Sequence, residues 1–364
     1  MNSPFCDKYF SKTKLVAETA RLNPIVKYRV FTRFAGIAAL EPMAKVVMKM
    51  SEKSSVQILA TGTEFEPGDT VAIITGPIQD IVELETQWLQ WTALPCYCAA
   101  EAKKIMERAG DKIVLDFAAR HLYDPVSVAL ASYGAQVGGI EGASTDVGAN
   151  AEMYLDRVIT EYKNVVEYSD KRIYKQAGIG TTPHALIALF GGDYLAMAEA
   201  YTKTFPEEKF VALIDYNNRE IDDSLLLLEK LGKHLAGVRI DTCGENFAQV
   251  GYEQNGDPKF ADEKGVSISA CRALKNALKS HGGEHVKIFV SSGFNADKTG
   301  KFMEMCPSSI DGIGTGSFIP KGPTATADIF EVDGKNESKV GREWGLEKNK
   351  EFYEKETMTY VVGE

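Results

Sequence analysis

After Asp111 the chain repeats one pattern, in which a short apolar run is followed by a polar or glycine-containing turn and then by an amphipathic stretch. Runs of this kind are KIVLDFA, KFVALIDY, GVRID and VKIFVSSG. Strands that alternate with helices in this way indicate parallel pairing. We predict strands at 113–118, 135–140, 177–181, 209–215, 236–241, 287–292 and 311–315. That number of strands over ~200 residues favours a closed or nearly closed α/β barrel of the TIM type over an open sheet.

Residues before Asp111 combine predicted helices at about 42–50 and 81–109 with the strand-like run QILATGTEFEPGDTVAIITGP and its turn signals. This mixture predicts a compact α+β domain. The predicted organisation is an N-terminal α+β domain at 1–112, an α/β-barrel domain at 113–318 and a C-terminal tail at 319–364.

Cap residues, prolines and glycines mark the helix boundaries of the barrel region. The predicted starts are Asp124-Pro125, Thr182-Pro183, and Asp222 or Asp223 before SLLLLEKLGKHL. The predicted ends are Gly134, Gly191 and Gly232.

Composition and charge narrow the function classes. With 364 residues and 44% hydrophobic content, the chain can bury a large core. It has no run of ~18 apolar residues and no apolar segment behind its first charges, so we expect no membrane association and a cytoplasmic location. A formal charge of −10 without a basic block argues against nucleic acid as a partner. An anionic substrate would need a local pocket of positive charge.

Polar or glycine positions recur at or just beyond the C-terminal ends of the predicted strands. An isolated arginine or histidine is more often structural, but in a barrel this rim is where active sites are built. The positions that recur are Arg120, Glu141, His184, Asp215, Arg239, Asp241 and Gly293.

The segment GIGTTPHALIALFGGD at 178–193 resembles the G-T-x-x-H-[AS] segment of nicotinate phosphoribosyltransferases. It is followed, in the order of that family, by LIDYNN, GVRIDT, VSSGFN and GIGTG. Upstream, CDKYF, TGTEFEP, ITGPIQDIVELET and DFAARHLYDP resemble other segments of the family, above all of its short prokaryotic members. Downstream, DIFEVDGKNESKVGR resembles the tail that packs back on the N-terminal domain. The C-terminal zinc module of some short members is absent from this sequence.

This resemblance implies an irregular TIM-like barrel and an enzyme that joins nicotinate to phosphoribosyl pyrophosphate. The products are nicotinate mononucleotide and pyrophosphate, in NAD biosynthesis or salvage. The family couples the reaction to ATP hydrolysis through a phosphohistidine. The resemblance therefore also implies ATP as co-substrate, Mg²⁺ bound with phosphoribosyl pyrophosphate and ATP, and a homodimer or higher homo-oligomer with shared active sites.

The residue that matches the phosphorylated histidine of the family is His184. A neutral imidazole attacks a phosphoryl group when another side chain holds its second nitrogen, and Asp215 or another strand-end carboxylate could do so. Glu141, where many members have aspartate, is the third predicted catalytic residue. It lies near the ribose or the pyridine ring according to the resemblance.

The phosphoribosyl group is predicted to meet Arg239 and Asp241, because residues two apart on a strand share one face. The resemblance implies that the arginine binds phosphate and that the aspartate contacts ribose hydroxyls or magnesium-bound oxygens. Thr182 belongs to the same predicted substrate site. Glycine turns and a helix that starts near Asn295 suit the 5′-phosphate. The residues of these turns are Gly293, Gly314, Thr315 and Gly316.

The pyridine ring and its carboxylate call for an aromatic face and a guanidinium. Phe117 and Arg120 match the family residues in these roles, although many members have a second arginine where this chain has His121. Tyr9 matches a tyrosine that completes the ring sandwich from the neighbouring subunit.

Two alternatives stay open at the level of sequence. One is a related pyridine phosphoribosyltransferase acting on quinolinate or nicotinamide, although quinolinate enzymes lack the histidine of GTTPHAL. The other is a non-catalytic barrel that binds a nucleotide. The combination of histidine, Arg-x-Asp pair and glycine turns argues against the second.

Overall fold

A computed structural model of the chain describes residues 6–109, 114–167, 181–250, 264–294, 296–314 and 324–361. The helices and strands named here are those of the described residues, numbered in chain order. The α-helices are α1 (Lys8–Ala20), α2 (Glu41–Met50), α3 (Ile78–Ile81), α4 (Glu85–Ala109), α5 (Pro125–Val137), α6 (Asp146–Ala149), α7 (Ala151–Glu167), α8 (His184–Leu189), α9 (Tyr194–Thr204), α10 (Glu220–Leu231), α11 (Ile268–Ser280), α12 (Ala296–Met305) and α13 (Trp344–Glu354). The strands are β1 (Ile25–Thr32), β2 (Gly36–Ile37), β3 (Ser55–Leu59), β4 (Glu64–Phe65), β5 (Thr70–Pro77), β6 (Leu115–Asp116), β7 (Gly142–Ala143), β8 (Phe210–Leu213), β9 (Leu235–Ile240), β10 (Lys287–Val290), β11 (Gly312–Ile313), β12 (Ala325–Val332), β13 (Lys335–Asn336) and β14 (Thr357–Val361).

The larger sheet is antiparallel and joins strands from the two ends of the described chain. Its six strands follow the order β13-β12-β1-β5-β3-β14. Within it, Arg29 of β1 lies opposite Asp328 of β12. The buried Arg29 guanidinium lies 4.4 Å from the Phe31 ring centre and 4.6 Å from that of Trp344. This stacking ties α13 to the sheet, since guanidinium groups are attracted to aromatic faces.

The second sheet is parallel and carries the region of the predicted barrel. Its four strands follow the order β11-β10-β9-β8, and β6 and β7 form a separate parallel pair. The predicted mixed α/β class is therefore confirmed. Among the described residues no pairing closes these strands into a barrel, so closure stays a prediction.

Four of the predicted strands are confirmed as β8 to β11, and the predicted strand at 113–118 is present as the short β6. The strand predicted at 135–140 is wrong, because α5 continues to Val137. Gly134 therefore does not end the helix. It lies inside α5 where a Cβ would come within 2.1 Å of the Pro95 carbonyl oxygen in α4, so it permits close helix packing. Most of the strand predicted at 177–181 lies outside the described residues.

Helix boundaries were predicted correctly where the cap is local. Asp124 Oδ1 accepts hydrogen bonds from the backbone N–H groups of Val126 and Ser127, at 2.9 and 3.0 Å. Gly232 follows α10 with a φ of 52°, which suits glycine.

The predicted start of α10 at Asp222 or Asp223 is wrong, because the helix begins at Glu220. Its first N–H groups are capped from a segment distant in the chain, where Gln249 Oε1 accepts from the Ile221 N–H at 2.7 Å. The predicted start at Thr182-Pro183 is off by one position, since α8 begins at His184 and Pro183 takes the cap position.

One continuous apolar core connects the two sheets. It includes Trp88 of α4, Leu186 of α8, Ile214 beyond β8 and Phe330 of β12. Within the described ranges, no helix is both long and apolar enough to cross a membrane. Because the core is continuous, side chains at the end of the parallel sheet lie against the antiparallel sheet.

Candidate active site

His184, Asp215 and Lys339 form a buried cluster where α8, the loop after β8 and the segment after β13 meet. Asp215 Oδ1 and Oδ2 lie 3.1 and 3.3 Å from His184 Nε2. Lys339 Nζ lies 2.9 Å from the same nitrogen and also donates to Asp215 Oδ2. The exposed fraction of the side chain is 0% for Asp215, 5% for Lys339 and 29% for His184. The histidine is therefore the member of the cluster that a ligand can reach.

The carboxyl group of Asp215 is held in its ionised form. Burial on its own would raise the pKa of this group, but the positive charge of Lys339 and the contact with His184 outweigh it. The net result is a pKa well below the usual range. Asp215 is thus a fixed negative charge beside the imidazole.

The two nitrogens of His184 have different surroundings. Nε2 contacts Asp215 and Lys339, whereas Nδ1 has no hydrogen-bond partner among the described residues. A proton on Nε2 that is donated to Asp215 would leave the lone pair of Nδ1 available. The arrangement can therefore present a nucleophilic nitrogen.

Lys339 was missed by the sequence analysis, although its segment was recognised. It reaches the cluster because the tail is fastened to the loop after β8. The Val340 N–H donates to the Tyr216 carbonyl at 3.0 Å, and the Tyr216 hydroxyl donates to Glu337 Oε1 at 2.6 Å. The lysine lies 124 residues from Asp215 in the chain, so no local motif indicates the contact.

A small cavity of about 160 Å³ brings His184 together with other predicted site residues. Arg239 and Asp241 line it together with Tyr9 of the same chain. Arg239 Nη2 makes a 3.4 Å hydrogen bond to the Thr182 carbonyl, and its buried Nε has no partner among the described residues. A guanidinium with an unused N–H group is suited to an anion.

Asp241 and the glycine turn line a larger, open cavity of about 790 Å³, which His184 and Lys339 also line. Asp241 Oδ1 accepts a 2.6 Å hydrogen bond from Ser291 Oγ, which fixes its orientation. Gly293 has a φ of 71°, and a Cβ there would meet nothing within 4 Å. A volume of this size falls in the range typical of ligand pockets, about 300–1,000 Å³.

Charged residues that the sequence analysis did not single out also line the larger cavity. Arg342 lies 3.4 Å from Asp328, and Arg33 pairs with Glu245. Glu85 is buried, and burial, together with the negative charge of Asp328, raises its pKa well above the usual value.

The remaining phosphate turn is described only in part. Gly314 follows β11, and its N–H donates to the Val290 carbonyl at 2.8 Å. That N–H is used within the sheet. Thr315 and Gly316 lie outside the described residues, as does Asn295, although α12 begins next to it at Ala296.

Two of the predicted substrate-binding residues make hydrogen bonds within the chain. The Thr182 hydroxyl accepts a 2.8 Å hydrogen bond from the Leu213 N–H and so ties the segment before α8 to β8. Tyr9 donates to Asp7 Oδ2 at 3.0 Å, and burial together with Asp7 raises its pKa. The predicted contribution of Tyr9 to a neighbouring subunit stays a prediction.

Phe117, Arg120 and Glu141 are not brought to this cluster by the described contacts. Phe117 is 55% exposed and is absent from the described lining of both cavities. Arg120 lies in a 3-10 helix (Ala118–His121) after β6, and its side chain is outside the description. Glu141 is exposed and comes just before β7 rather than after a strand. Their predicted roles stay predictions.

The described residues contain no group of three or more His, Cys, Asp and Glu side chains that could hold a metal ion. Mg²⁺ is commonly held by one or two carboxylates together with phosphate oxygens of the substrate. Asp241, which lines the larger cavity, could supply one such carboxylate to Mg²⁺ that arrives with the substrate phosphates.

No family model matches the chain. It is similar to the curated nicotinate phosphoribosyltransferase pncB2 of Mycobacterium tuberculosis, with 23% identity over 259 residues, 70% of this chain and 46% of that protein. The chain thus spans about half the length of the curated relatives that it matches.

Solved structures show the same fold. A nicotinate phosphoribosyltransferase from Vibrio cholerae has a TM-score of 0.51 and 13% identity, covering 96% of this chain and 93% of that one. A Saccharomyces cerevisiae protein provisionally named a nicotinate phosphoribosyltransferase has a TM-score of 0.51 and 12% identity, covering 97% and 98%. The resemblance to this family that the motifs predicted is therefore confirmed.

Proposed function

We propose that the chain is a nicotinate phosphoribosyltransferase, which forms nicotinate mononucleotide and pyrophosphate from nicotinate and phosphoribosyl pyrophosphate. We also propose that ATP hydrolysis is coupled to this reaction through phosphorylation of His184. The observation that carries the proposal is the buried cluster in which Asp215 contacts His184 at 3.1 Å, beside Arg239 and Asp241 in one cavity. The likeness to nicotinate phosphoribosyltransferases of known structure supports the substrate class.

The first chemical step uses the lone pair of His184. As the bond from nitrogen to the γ-phosphorus of ATP forms, the bond from phosphorus to the bridging oxygen breaks, and ADP leaves with the electron pair. The phosphorylated ring carries positive charge, which the ionised Asp215 stabilises. Water later cleaves the nitrogen–phosphorus bond and returns the free imidazole and phosphate.

The second step is the transfer of phosphoribose to nicotinate. We propose that Arg239 binds a phosphate through its free Nε–H and that Asp241, oriented by Ser291, faces the ribose hydroxyls or magnesium-bound oxygens. Bound Mg²⁺ would neutralise charge on the departing pyrophosphate. The phosphate on His184 adds negative charge to the shared cavity, so it changes the affinity for these ligands and couples ATP hydrolysis to product formation.

Several finer points belong to the same proposal. We propose that the four-stranded sheet and the β6–β7 pair are parts of one irregular barrel, which the likeness in fold to the Vibrio cholerae enzyme supports. Phe117 and Arg120 would hold the pyridine carboxylate, Glu141 would act near the ribose, and Thr315 and Gly316 would bind the 5′-phosphate. A homodimer with Tyr9 shared between active sites and a cytoplasmic location complete the proposal.

One assay tests the activity. The pure protein is incubated with phosphoribosyl pyrophosphate and Mg²⁺, with nicotinate, nicotinamide or quinolinate in parallel, with and without ATP, and the mononucleotide is identified by mass spectrometry. We expect nicotinate mononucleotide, in higher yield with ATP. Nicotinamide or quinolinate mononucleotide instead would assign the related activity. Lack of any mononucleotide would contradict an enzymatic role.

A further inference from the structure

Two arrangements of the uncharged His184 imidazole are compatible with its contacts to Asp215 and Lys339. If Nε2 carries the proton and donates to Asp215, the lone pair of Nδ1 is free. If Lys339 donates to Nε2, the imidazole proton lies on Nδ1 and neither lone pair is free. The 2.9 Å distance from Nζ to Nε2 and the ion pair from Nζ to Asp215 make both arrangements geometrically accessible.

A third arrangement is also open to this cluster. An ionised carboxylate beside a histidine favours the imidazolium, which has no lone pair at all. In the structure this carboxylate is neutralised by Lys339, whose side chain is 5% exposed. A protonated His184 would also bring two positive charges to within 2.9 Å of each other in a buried place.

We propose that Lys339 is a positioning residue that keeps the His184 imidazole uncharged by neutralising Asp215 and by opposing a second positive charge at Nε2. The inference rests on the proposed function, because an uncharged imidazole is what phosphoryl transfer requires. It adds that the nucleophile depends on a residue from the tail.

Other charges face the same cavities and act at longer range. Among the described residues, His184 has hydrogen-bond contacts only to Asp215 and Lys339. The surrounding acidic groups are Glu85, Asp241, Asp328 and the Arg33-paired Glu245. The other cations and phenols are Arg239, Arg342, Tyr9, Tyr28 and Tyr216. Since these groups are unchanged in a Lys339 variant, they do not produce the difference that the proposal predicts.

The direct test follows the imidazole itself. The chain has five histidines, so the Cε1 signal of His184 in ¹³C-histidine-labelled protein is assigned by its loss in His184→Asn. We expect the midpoint of its pH titration to rise by about one pH unit or more in Lys339→Met, the size typical of losing a compensating charge. In the double variant Asp215→Asn/Lys339→Met the midpoint should return towards that of the unmodified chain. Lys335→Met, in the exposed β13, is the matched control.

A second readout is the pH dependence of acid-labile label from ATP. Lys339→Met should require more alkaline pH for half-maximal labelling, and Lys339→Arg, which keeps the charge, should restore the original profile. If Lys339→Met does not fold, as judged by circular dichroism, Lys339→Gln tests the same loss of charge. Equal titration midpoints in the unmodified chain and a folded, uncharged Lys339 variant would overturn the inference.

The two proposals can fail separately. A shifted imidazole titration without any label in the unmodified chain would remove the ATP coupling and leave the role of Lys339 intact. Labelling of the unmodified chain with no shift of the imidazole titration in the variants would remove the role of Lys339 and leave the ATP coupling intact.

Discussion

Replacing Arg239 with alanine should weaken binding of phosphoribosyl pyrophosphate about 10- to 150-fold. Arg239 uses Nη2 for one long hydrogen bond to the Thr182 carbonyl, at 3.4 Å, and its buried Nε has no partner among the described residues. On the proposed assignment, the guanidinium makes at least one charge-assisted hydrogen bond to a phosphate. Such a bond contributes ~1.5–3 kcal/mol, and each 1.4 kcal/mol is about tenfold in affinity.

The assay is a calorimetric titration of phosphoribosyl pyrophosphate, in the presence of Mg²⁺, into each variant. Arg239→Lys should lose part of the affinity, because lysine keeps the charge but not the planar fork. The matched control is Arg157→Ala, since the Arg157 side chain is 82% exposed on α7. Its affinity should not change.

An unchanged dissociation constant in a folded Arg239→Ala variant would refute the assignment of this arginine to phosphate. Equal losses in the Arg239 and Arg157 variants would also refute it, because the effect would then reflect general charge rather than a local contact. A loss of affinity limited to Arg239→Ala is the expected result.

Two further predictions concern His184 and Glu220. His184→Asn should abolish acid-labile phosphate incorporation from γ-labelled ATP and leave some ATP-independent mononucleotide formation. The control is His281→Asn, a substitution at an exposed residue, which should keep full labelling. Label retained in His184→Asn would contradict the phosphohistidine. Burial and the negative charge of Asp215 raise the pKa of the Glu220 carboxyl group from 4.5 to about 7. The protonated carboxyl group therefore stabilises the fold fully below about pH 4.5, and this stabilisation is lost as the pH rises towards 7. The urea concentration at the midpoint of unfolding should therefore fall less between pH 4.5 and 7 for Glu220→Gln than for the unmodified chain. Some pH dependence should remain in the variant, because burial raises the pKa of Asp223 to about 6. Equal slopes would show that Glu220 does not titrate in this window.

The sequence predicted those elements whose cause is local. The apolar runs that become β8 to β11 are bounded by turns, and Asp124 caps α5 with its own carboxylate. The strand predicted at 135–140 failed for a tertiary reason. Gly134 stands inside a helix because α4 approaches closely there, and a glycine that permits packing cannot be distinguished by sequence from one that ends a helix. The cap of α10 by Gln249 comes from 28 residues away and is likewise invisible in the sequence.

The same division holds in the candidate site. His184 begins α8, Asp215 and Asp241 follow strands, and Arg239 lies next to the end of β9, so their positions in the strand–turn pattern singled them out. Lys339 has no such position. It contacts His184 only because the tail after β12 is fastened to the loop that follows β8, which is a property of packing between two sheets.

If Lys339 acts as proposed, this packing makes the chemistry of the histidine dependent on the antiparallel sheet. His184 begins α8 and Asp215 follows β8 of the parallel sheet, whereas Lys339 follows the β12–β13 hairpin, whose longer strand pairs with β1 from Val26 to Thr32. A small displacement of β12 would separate Nζ from Asp215. If Lys339 acts as proposed, such a displacement would change the charge of the imidazole, because the Coulomb energy of the buried ion pair weakens as the two charges separate. On the proposed mechanism, the antiparallel sheet would thus contribute to phosphoryl transfer, because it holds the cation that keeps the histidine uncharged.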